Sequence, residues 1–100
     1  MANALNSYEL SAEADKDLEE IYDYTEAEFG ENQAIKYLLG LDELFSFLSV
    51  HPKAGRTRNE IRTGLRSSSY VSHIVFYRCF EHNIRIVRVL HSSRDIPKFL

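Results

Sequence analysis

The sequence predicts an α+β fold in which a hairpin of two helices packs on an antiparallel sheet. Apolar residues recur at helical spacing through the first half of the chain, whereas the second half contains apolar and β-branched runs typical of strands. The charge divides at the same point. Residues 1–50 hold twelve carboxylates and two lysines, and residues 51–100 hold ten Lys and Arg and three carboxylates. The net charge of −3 therefore combines halves of about −10 and +7, and the basic half indicates an anionic partner.

Length and composition predict a single domain over residues 1–100. With 44% apolar and 27% charged residues, the chain can bury a core and lacks the composition of a disordered protein. No apolar run is long enough to cross a membrane, and residues 1–11 lack the basic and apolar regions of a signal peptide. We therefore expect a cytoplasmic protein. The single cysteine, Cys79, lies in an apolar run and is expected to be a small buried side chain.

The first predicted elements are a short strand and a long helix. Alternation at residues 6–10 predicts the strand. Ser11 has the features of a helix N-cap, because Glu13 and Asp15 follow it in the first turn, where carboxylates favour the helix dipole. Gly30 is expected to end the helix. The apolar face of this helix comprises Ala14, Leu18, Ile21, Tyr22, Thr25 and Phe29. The opposite face is interpreted as solvated and carries Asp17, Glu20, Asp23 and Glu28.

A second helix is predicted directly after Gly30 and ends at His51-Pro52. Its apolar stripe comprises Ile35, Leu38, Leu41, Phe45 and Leu48. Two helices joined at one glycine form an antiparallel hairpin. Once the hairpin packs on the sheet, we expect Glu20 and Asp23 to be exposed. The side chains expected to be buried are Leu18, Ile21, Leu38, Leu41, Phe45 and Leu48.

The basic half is expected to form a three-stranded antiparallel meander. A polar loop at residues 52–60 precedes strands at residues 61–70, 73–80 and 84–91. The short segment Glu81-His82-Asn83 predicts a tight turn between the last two strands, with Asn83 able to adopt positive φ. The simplest packing lays the helical hairpin on one face of this sheet.

Centring that turn on His82 predicts the register of the last two strands. The expected pairs are Phe80–Ile84, Arg78–Ile86, Phe76–Arg88 and Ile74–Leu90 on one face, and Cys79–Arg85, Tyr77–Val87, Val75–Val89 and His73–His91 on the other. Arg78 and Arg88 would then lie diagonally about 7 Å apart and require water, a carboxylate or a ligand between them. His73, His91 and Arg94 would meet at one end of the sheet.

Four blocks of the sequence resemble the ParE branch of the ParE/RelE toxin superfamily. They are His51-Pro52-x-x-Gly55, Glu60-Ile61-Arg62-x-Gly64-Leu65-Arg66, Ser72-His73-Ile74-Val75-Phe76-Tyr77-Arg78 and Ile84-Arg85-Ile86-Val87-Arg88-Val89-Leu90-His91-x-x-Arg94-Asp95. The segments Asp17-Leu18-x-x-Ile21-x-x-Tyr24 and Phe29-Gly30 are similar to the first helix of the family and its end. The resemblance follows the order of the family over essentially the whole chain.

The resemblance implies the toxin of a type II toxin–antitoxin pair. Such a toxin is neutralised by a cognate, ParD-like antitoxin whose C-terminal segment wraps it, and the usual target in this branch is DNA gyrase, whose inhibition blocks replication. No cofactor, metal or membrane is implied, and no sequence-specific DNA binding by the toxin alone. The residues expected to contact antitoxin or target are Arg62, Arg66, Arg78, Arg85, Arg88 and Arg94.

The RelE branch offers an alternative, because its members share the fold but cut messenger RNA on the ribosome. Ribonuclease action needs a base, an acid and cations for the phosphate, for which His73, His91 and Arg94 are the candidates. The tail after Arg94 contains no tyrosine, and His73 stands where toxins of the RelE branch often carry arginine. These departures favour gyrase inhibition without covalent chemistry by the toxin.

A non-toxic binding module with a basic sheet, or an inactive toxin fold, is a further interpretation. The net acidity of the chain argues against simple coating of nucleic acid, which is typical of basic proteins. His73, His82 and His91 do not have metal-ligand spacing, and no cysteine or carboxylate cluster accompanies them, so no metal site is predicted.

Overall fold

The computed structural model describes residues 7–100, in which two long helices pack on a five-stranded mixed sheet. The elements are β1 (Ser7–Leu10), α1 (Ala12–Phe29), α2 (Glu31–Val50), β2 (Arg56–Thr57), β3 (Leu65–Tyr70), β4 (His73–Cys79), β5 (Asn83–His91) and α3 (Ile96–Phe99). The strand order is β1-β5-β4-β3-β2, with β1 parallel to β5 and the other neighbours antiparallel. The predicted α+β fold is confirmed, although Asn6 of the predicted first strand lies outside the described residues.

The ends of α1 are set by the residues that the sequence indicated. Ser11 adopts an extended conformation, and its Oγ accepts a hydrogen bond from the Ala14 N–H at 2.9 Å. Gly30 has φ +94°, a value that side-chain-bearing residues rarely adopt. Its N–H donates to the Glu26 carbonyl, and its own carbonyl accepts from the Ala34 N–H. One glycine therefore ends α1 and begins α2.

The main core lies between the helical hairpin and the sheet. The expected residues Ile21, Leu41, Phe45 and Leu48 are buried there, whereas Leu18 and Leu38 are only half-buried at its edge. The sheet contributes Val75, Tyr77, Ile84, Ile86 and Val89 to this core. Glu20 and Asp23 are exposed, as predicted.

Two residues of the predicted apolar helix faces are exposed. Phe29 is 68% exposed and Ile35 is 43% exposed. Both lie near Gly30, where the hairpin reverses, and neither belongs to the buried clusters. Helical periodicity placed them on the apolar stripe, but the packed sheet does not cover them.

A second, smaller core lies on the other face of the sheet. Leu65, Phe76 and Leu90 are buried there, and the residues packed against them include Ile61, Ile96, Phe99 and Leu100. This cluster explains why β4 and β5 are apolar on both faces. It also gives the short helix α3, which was not predicted, a packing role.

A β-bulge makes half of the predicted β4–β5 pairs wrong. The pairs from His73–His91 to Phe76–Arg88 are as predicted, but Tyr77 then pairs with Ile86, so Val87 is the extra residue. The turn is one residue shorter than predicted. The Phe80 N–H donates to the Asn83 carbonyl, so only Glu81 and His82 lie between the two bonded residues. The predicted pairs from Tyr77 to Phe80 are therefore wrong by one residue.

The bulge changes which side chains share a face. Arg78 pairs with Arg85 instead of Ile86, and Ile84 and Ile86 join the core under the helices. Cys79, expected to be buried, is exposed near the end of β4 with its Sγ 3.3 Å from the Pro52 carbonyl oxygen.

The segment before β4 also differs from the prediction. The predicted strand at residues 61–70 begins only at Leu65, because the N–H groups of Ile61 and Arg62 bond the Arg58 carbonyl in a turn. The predicted loop at residues 52–60 contains the two-residue strand β2. No helix within residues 7–100 has the length and apolarity to span a bilayer.

Candidate functional site

A groove of about 800 Å³ opens between the helical hairpin and one end of the sheet. Its helical wall includes Ile21, Tyr24 and Phe29 of α1 and Tyr37 of α2. Its sheet wall includes the β3–β4 turn, the start of β4 and the end of β5. Tyr24 is 65% exposed and Phe29 is 68% exposed, so the helical lip presents apolar surface to solvent. Such a surface is typical of a site that a partner covers.

Val71 occupies the sheet lip of this groove in a strained conformation. It is the first residue of the two-residue turn between β3 and β4, has φ +48° and is 80% exposed. A β-branched residue at positive φ is an outlier, and such strain concentrates at functional positions. The turn therefore displays an apolar side chain towards solvent at a conformational cost.

His73 and His91 meet at the sheet end of the groove, as predicted. They are cross-strand partners, and their rings are nearly perpendicular with centroids 5.3 Å apart. The Tyr37 hydroxyl lies 2.7 Å from His73 Nδ1. His91 Nδ1 lies 2.8 Å from Ser93 Oγ and accepts the Ser93 backbone N–H at 3.1 Å.

These contacts assign the tautomer of His91. A backbone N–H can only donate, so the Nδ1 of neutral His91 carries no proton and Nε2 does. The Tyr37 hydroxyl accepts the Ser72 N–H, and its proton can go to His73 Nδ1 at 2.7 Å or to the Tyr70 carbonyl at 3.5 Å. Either His73 Nδ1 accepts this proton or its own N–H donates to the Tyr37 oxygen, so the tautomer of neutral His73 depends on the direction of this hydrogen bond.

The surroundings of His73 favour its neutral form. Burial is the largest cause that lowers the pKa of His73, and the neighbouring His91 lowers it further, while Asp17 acts in the opposite sense. Burial also raises the pKa of Tyr37, which therefore remains a hydroxyl and a hydrogen-bond donor.

Asp17, which was assigned to the solvated face, is buried at 8% exposure. Its carboxylate binds the Arg88 guanidinium through two hydrogen bonds of 2.8 and 2.9 Å and accepts the Val89 N–H at 2.9 Å. The sequence did contain a signal, because Asp17 stands three residues after Ala14 and four before Ile21, both on the buried face. This ion pair fixes α1 against β5 beside the groove.

Most of the arginines predicted to contact a partner are already engaged within the described chain. Arg62 donates to the Leu100 carbonyl, Arg66 to the Gly55 carbonyl, Arg78 to the Thr63 carbonyl, Arg85 to Glu9, and Arg88 to Asp17 and the Phe99 carbonyl. Arg78 and Arg88 thus have separate acceptors: of the water, carboxylate or ligand that we expected beside them, the structure shows a carboxylate, Asp17, on Arg88. These five side chains are spread over the sheet and are not gathered into one site.

Arg94 is the exception among the six. Its guanidinium lies 4.9 Å from the centroid of the Phe99 ring and has no hydrogen-bond acceptor among residues 7–100. It lines the groove together with His73 and His91. In the described part of the chain, no group of three or more His, Cys, Asp or Glu side chains could hold a metal ion.

Comparisons with known proteins agree on one family. The family described as "ParE toxin of type II toxin-antitoxin system, parDE" matches residues 8–96. Toxin ParE1 of Mycobacterium tuberculosis is 42% identical over 94 residues, covering 93% of this chain and 96% of that protein. Toxin ParE1 of Caulobacter vibrioides is 36% identical over 91 residues, covering 91% and 94%.

A solved structure supports the fold. A chain of the chromosomal ParDE TA system from P. aeruginosa superposes with a TM-score of 0.75 at 23% identity, covering 88% of this chain and 97% of that one. The family match and the two relatives agree with the resemblance carried by the four sequence blocks. This chain belongs to the ParE toxin family of type II toxin–antitoxin systems.

Proposed function

We propose that this chain arrests growth by binding and inhibiting DNA gyrase, and that a cognate ParD-like antitoxin neutralises it. Membership of the ParE family supports the proposal, because gyrase is the usual target of this branch. The solved ParDE relative, in which toxin and antitoxin form one system, supports an antitoxin as the partner.

One observation favours binding over ribonuclease chemistry. A general base for a 2′-hydroxyl needs an imidazole lone pair directed at the substrate. In His91 the lone pair lies on Nδ1, which already accepts an intramolecular hydrogen bond, and the Nδ1 of His73 is engaged by the Tyr37 hydroxyl. Neutral His91 therefore offers the groove an N–H donor instead of a base. The candidate catalytic trio with Arg94 is therefore better suited to holding a partner than to abstracting a proton.

The groove is the proposed docking site of the antitoxin. Tyr24, Phe29 and Val71 present exposed apolar surface around it, and a partner helix with an apolar stripe would cover that surface. The basic side chains at the sheet end would then meet acidic residues of the same segment. The other predicted contacts, among them Arg66 and Arg78, remain proposals at the rim of the sheet.

The deciding experiment tests purified toxin against DNA gyrase supercoiling beside a ribosome-dependent mRNA cleavage assay. We expect inhibition of supercoiling without mRNA cleavage, and His91→Ala should retain most of the inhibition. Cleavage with gyrase unaffected, abolished by His91→Ala or Arg94→Ala, would assign the chain to the ribonuclease branch. Inactivity in both assays would contradict the proposed target.

The antitoxin is tested separately by co-expression with the product of the adjacent reading frame. We expect a complex that survives purification and restores growth. Tyr24→Asp, which places a carboxylate on the apolar lip, should weaken the complex, whereas Tyr22→Asp, outside the groove on the same helix, should not. Failure to form a complex at about micromolar concentration would contradict the proposed partner.

A further inference from the structure

Three nitrogen-bearing groups at the sheet end of the groove have no hydrogen-bond partner in the described chain. They are the Nε2 atoms of His73 and His91 and the guanidinium of Arg94. Among the described residues, no side-chain nitrogen or oxygen is both buried and unpaired. Although His73 is half-buried, its Nε2 must therefore be open to solvent. All three side chains line the same cavity.

We propose that His73, His91 and Arg94 form a carboxylate-binding subsite, which receives an aspartate or glutamate side chain of the antitoxin segment and so rests on the proposed function. A carboxylate carries two oxygens that only accept hydrogen bonds, so it matches the guanidinium of Arg94, the Nε2–H of His91 and, in its Nε2–H tautomer or as imidazolium, the ring of His73. The contacts of Tyr37 and Ser93 with the Nδ1 atoms hold both rings in place.

The rest of the groove favours a peptide over a phosphodiester chain. Ile21, Tyr24 and Val71 supply apolar surface, and Glu20 of α1 contributes an unpaired carboxylate to the lining. The hairpin behind this wall is strongly acidic. A continuous polyanion would be repelled there, whereas a peptide can place one carboxylate at the sheet end and apolar or basic residues along the helices.

The subsite makes binding depend on pH with a definite sign. The charged and titratable groups around the histidines come from every neighbouring element. They are Asp17, Glu20 and Tyr24 of α1, Tyr37 of α2, Tyr70 of β3, Arg88 of β5, and Arg94. Asp17 is already neutralised by Arg88, so a partner carboxylate adds new negative charge beside the rings. That charge favours the imidazolium form in the complex. The complex then binds more protons than its separated parts, and affinity rises as pH falls through the histidine range.

The test measures the affinity of the purified toxin for its antitoxin with matched pairs of variants. Arg94→Gln removes the free guanidinium, and Arg56→Gln removes an exposed arginine on β2, away from the groove. His91→Gln is matched by His82→Gln, an exposed histidine in the β4–β5 turn. We expect Arg94→Gln to weaken binding by about tenfold or more and each control by less than about twofold. Melting temperatures establish that every variant is folded.

Two further measurements identify the ligand. Wild-type affinity should increase between about pH 7.5 and about pH 5.5, and the His73→Gln, His91→Gln double variant should lose most of this increase. Each antitoxin carboxylate is then changed to its amide. One such change should weaken binding to the wild type but have little additional effect on Arg94→Gln.

The outcomes separate this proposal from the proposed function. If the antitoxin binds Arg94→Gln and the double-histidine variant as tightly as the wild type at every pH, the subsite is wrong, although the toxin–antitoxin pair stands. If wild-type protein binds no antitoxin, both fail. If a single-stranded oligonucleotide displaces the antitoxin and requires Arg94, the subsite belongs to a nucleic acid and the proposal is overturned.

Discussion

At the scale of single residues, the polar side chains next to the groove hold its walls together before any partner arrives. Asp17 combines a paired contact to Arg88 with a hydrogen bond from the Val89 N–H, so one carboxylate fixes a helix to a strand far away in sequence. The sequence could not reveal this pair, because 71 positions separate its members and helical periodicity carries no information about the partner. The His73–His91 pair could be predicted, since it depends only on counting outward along one hairpin.

Asp17→Asn should destabilise the fold markedly. The amide can still accept the Val89 N–H but leaves the largely buried Arg88 guanidinium without its counter-charge. Removing one partner of a buried ion pair costs about 3 kcal/mol or more in the free energy of unfolding. Urea denaturation measures the change, with the exposed Asp23→Asn as the control expected to stay within about 0.5 kcal/mol of wild type. Equal stability of the two variants would show that the pair contributes little.

Val71→Asn should stabilise the fold while weakening antitoxin binding. Asparagine tolerates positive φ far better than valine, and relief of such strain is worth about 1 kcal/mol. The polar side chain, however, removes apolar surface from the lip of the groove. Val71→Thr is the control, because it keeps the β-branched strain and should show no gain in melting temperature. A lower melting temperature for Val71→Asn would mean that the turn is not strained.

His73 should make the free toxin less stable as the solution becomes acidic. Burial, together with His91, lowers the pKa of His73 below its ordinary value of 6.5, which it regains on unfolding. Between those two values the unfolded state binds more protons, so stability falls as pH decreases through about 6.5. This loss of stability ends once the pH is below the pKa of His73 in the folded state. Denaturation at a series of pH values should show a shallower decline for His73→Gln than for wild type, and identical slopes would contradict the assignment.

At the scale of elements, the sequence predicts what depends on local periodicity and misses what depends on tertiary contacts. The helical hairpin follows from apolar spacing, the Ser11 cap and Gly30. The bulge at Val87 does not, because an extra residue in one strand leaves no periodic trace of its own. The parallel pairing of β1 with β5 and the two-residue strand β2 also depend on neighbours distant in the chain. The missed bulge is what gave Arg78 and Arg85 the wrong cross-strand partners.

Gly40→Ala tests how closely α2 lies on β3. Alanine favours a helix over glycine by about 1 kcal/mol, so propensity alone predicts stabilisation. A Cβ at Gly40, however, would overlap the Tyr70 hydroxyl and lie 2.8 Å from its Cζ, while that hydroxyl already donates to the Tyr37 carbonyl. We expect a net loss of about 1–3 kcal/mol in thermal denaturation, as in other overpacked sites.

Two variants separate the packing clash in Gly40→Ala from helix propensity. Ser46→Ala, on the exposed face of the same helix, should be neutral or slightly stabilising. Adding Tyr70→Phe to Gly40→Ala should restore part of the loss, because it removes the overlapping oxygen. Stabilisation by Gly40→Ala alone would show that α2 and β3 are less closely packed.

At the scale of the whole molecule, the division of charge along the sequence becomes a division between layers. Nearly all carboxylates lie on β1 and the helical hairpin, and the cations other than Lys16 and Lys36 lie on the sheet, its loops and the C-terminal segment. The molecule measures 38 × 35 × 21 Å, so even its shortest dimension exceeds the Debye length of about 8 Å at physiological salt. An approaching partner therefore responds to the nearer face more than to the net charge of −3.

This arrangement predicts that salt slows association with the antitoxin even though the toxin is acidic overall. If the antitoxin segment is anionic, the basic face attracts it and the acidic hairpin repels it, so encounters are oriented towards the sheet end of the groove. Raising salt from about 50 to about 300 mM should lower the association rate constant by about tenfold and change the dissociation rate constant much less. Stopped-flow mixing measures both. A uniformly charged protein of net charge −3 would repel an anionic partner, so salt would raise its association rate constant. If salt raises the association rate constant of this toxin, the separation of charge does not guide binding.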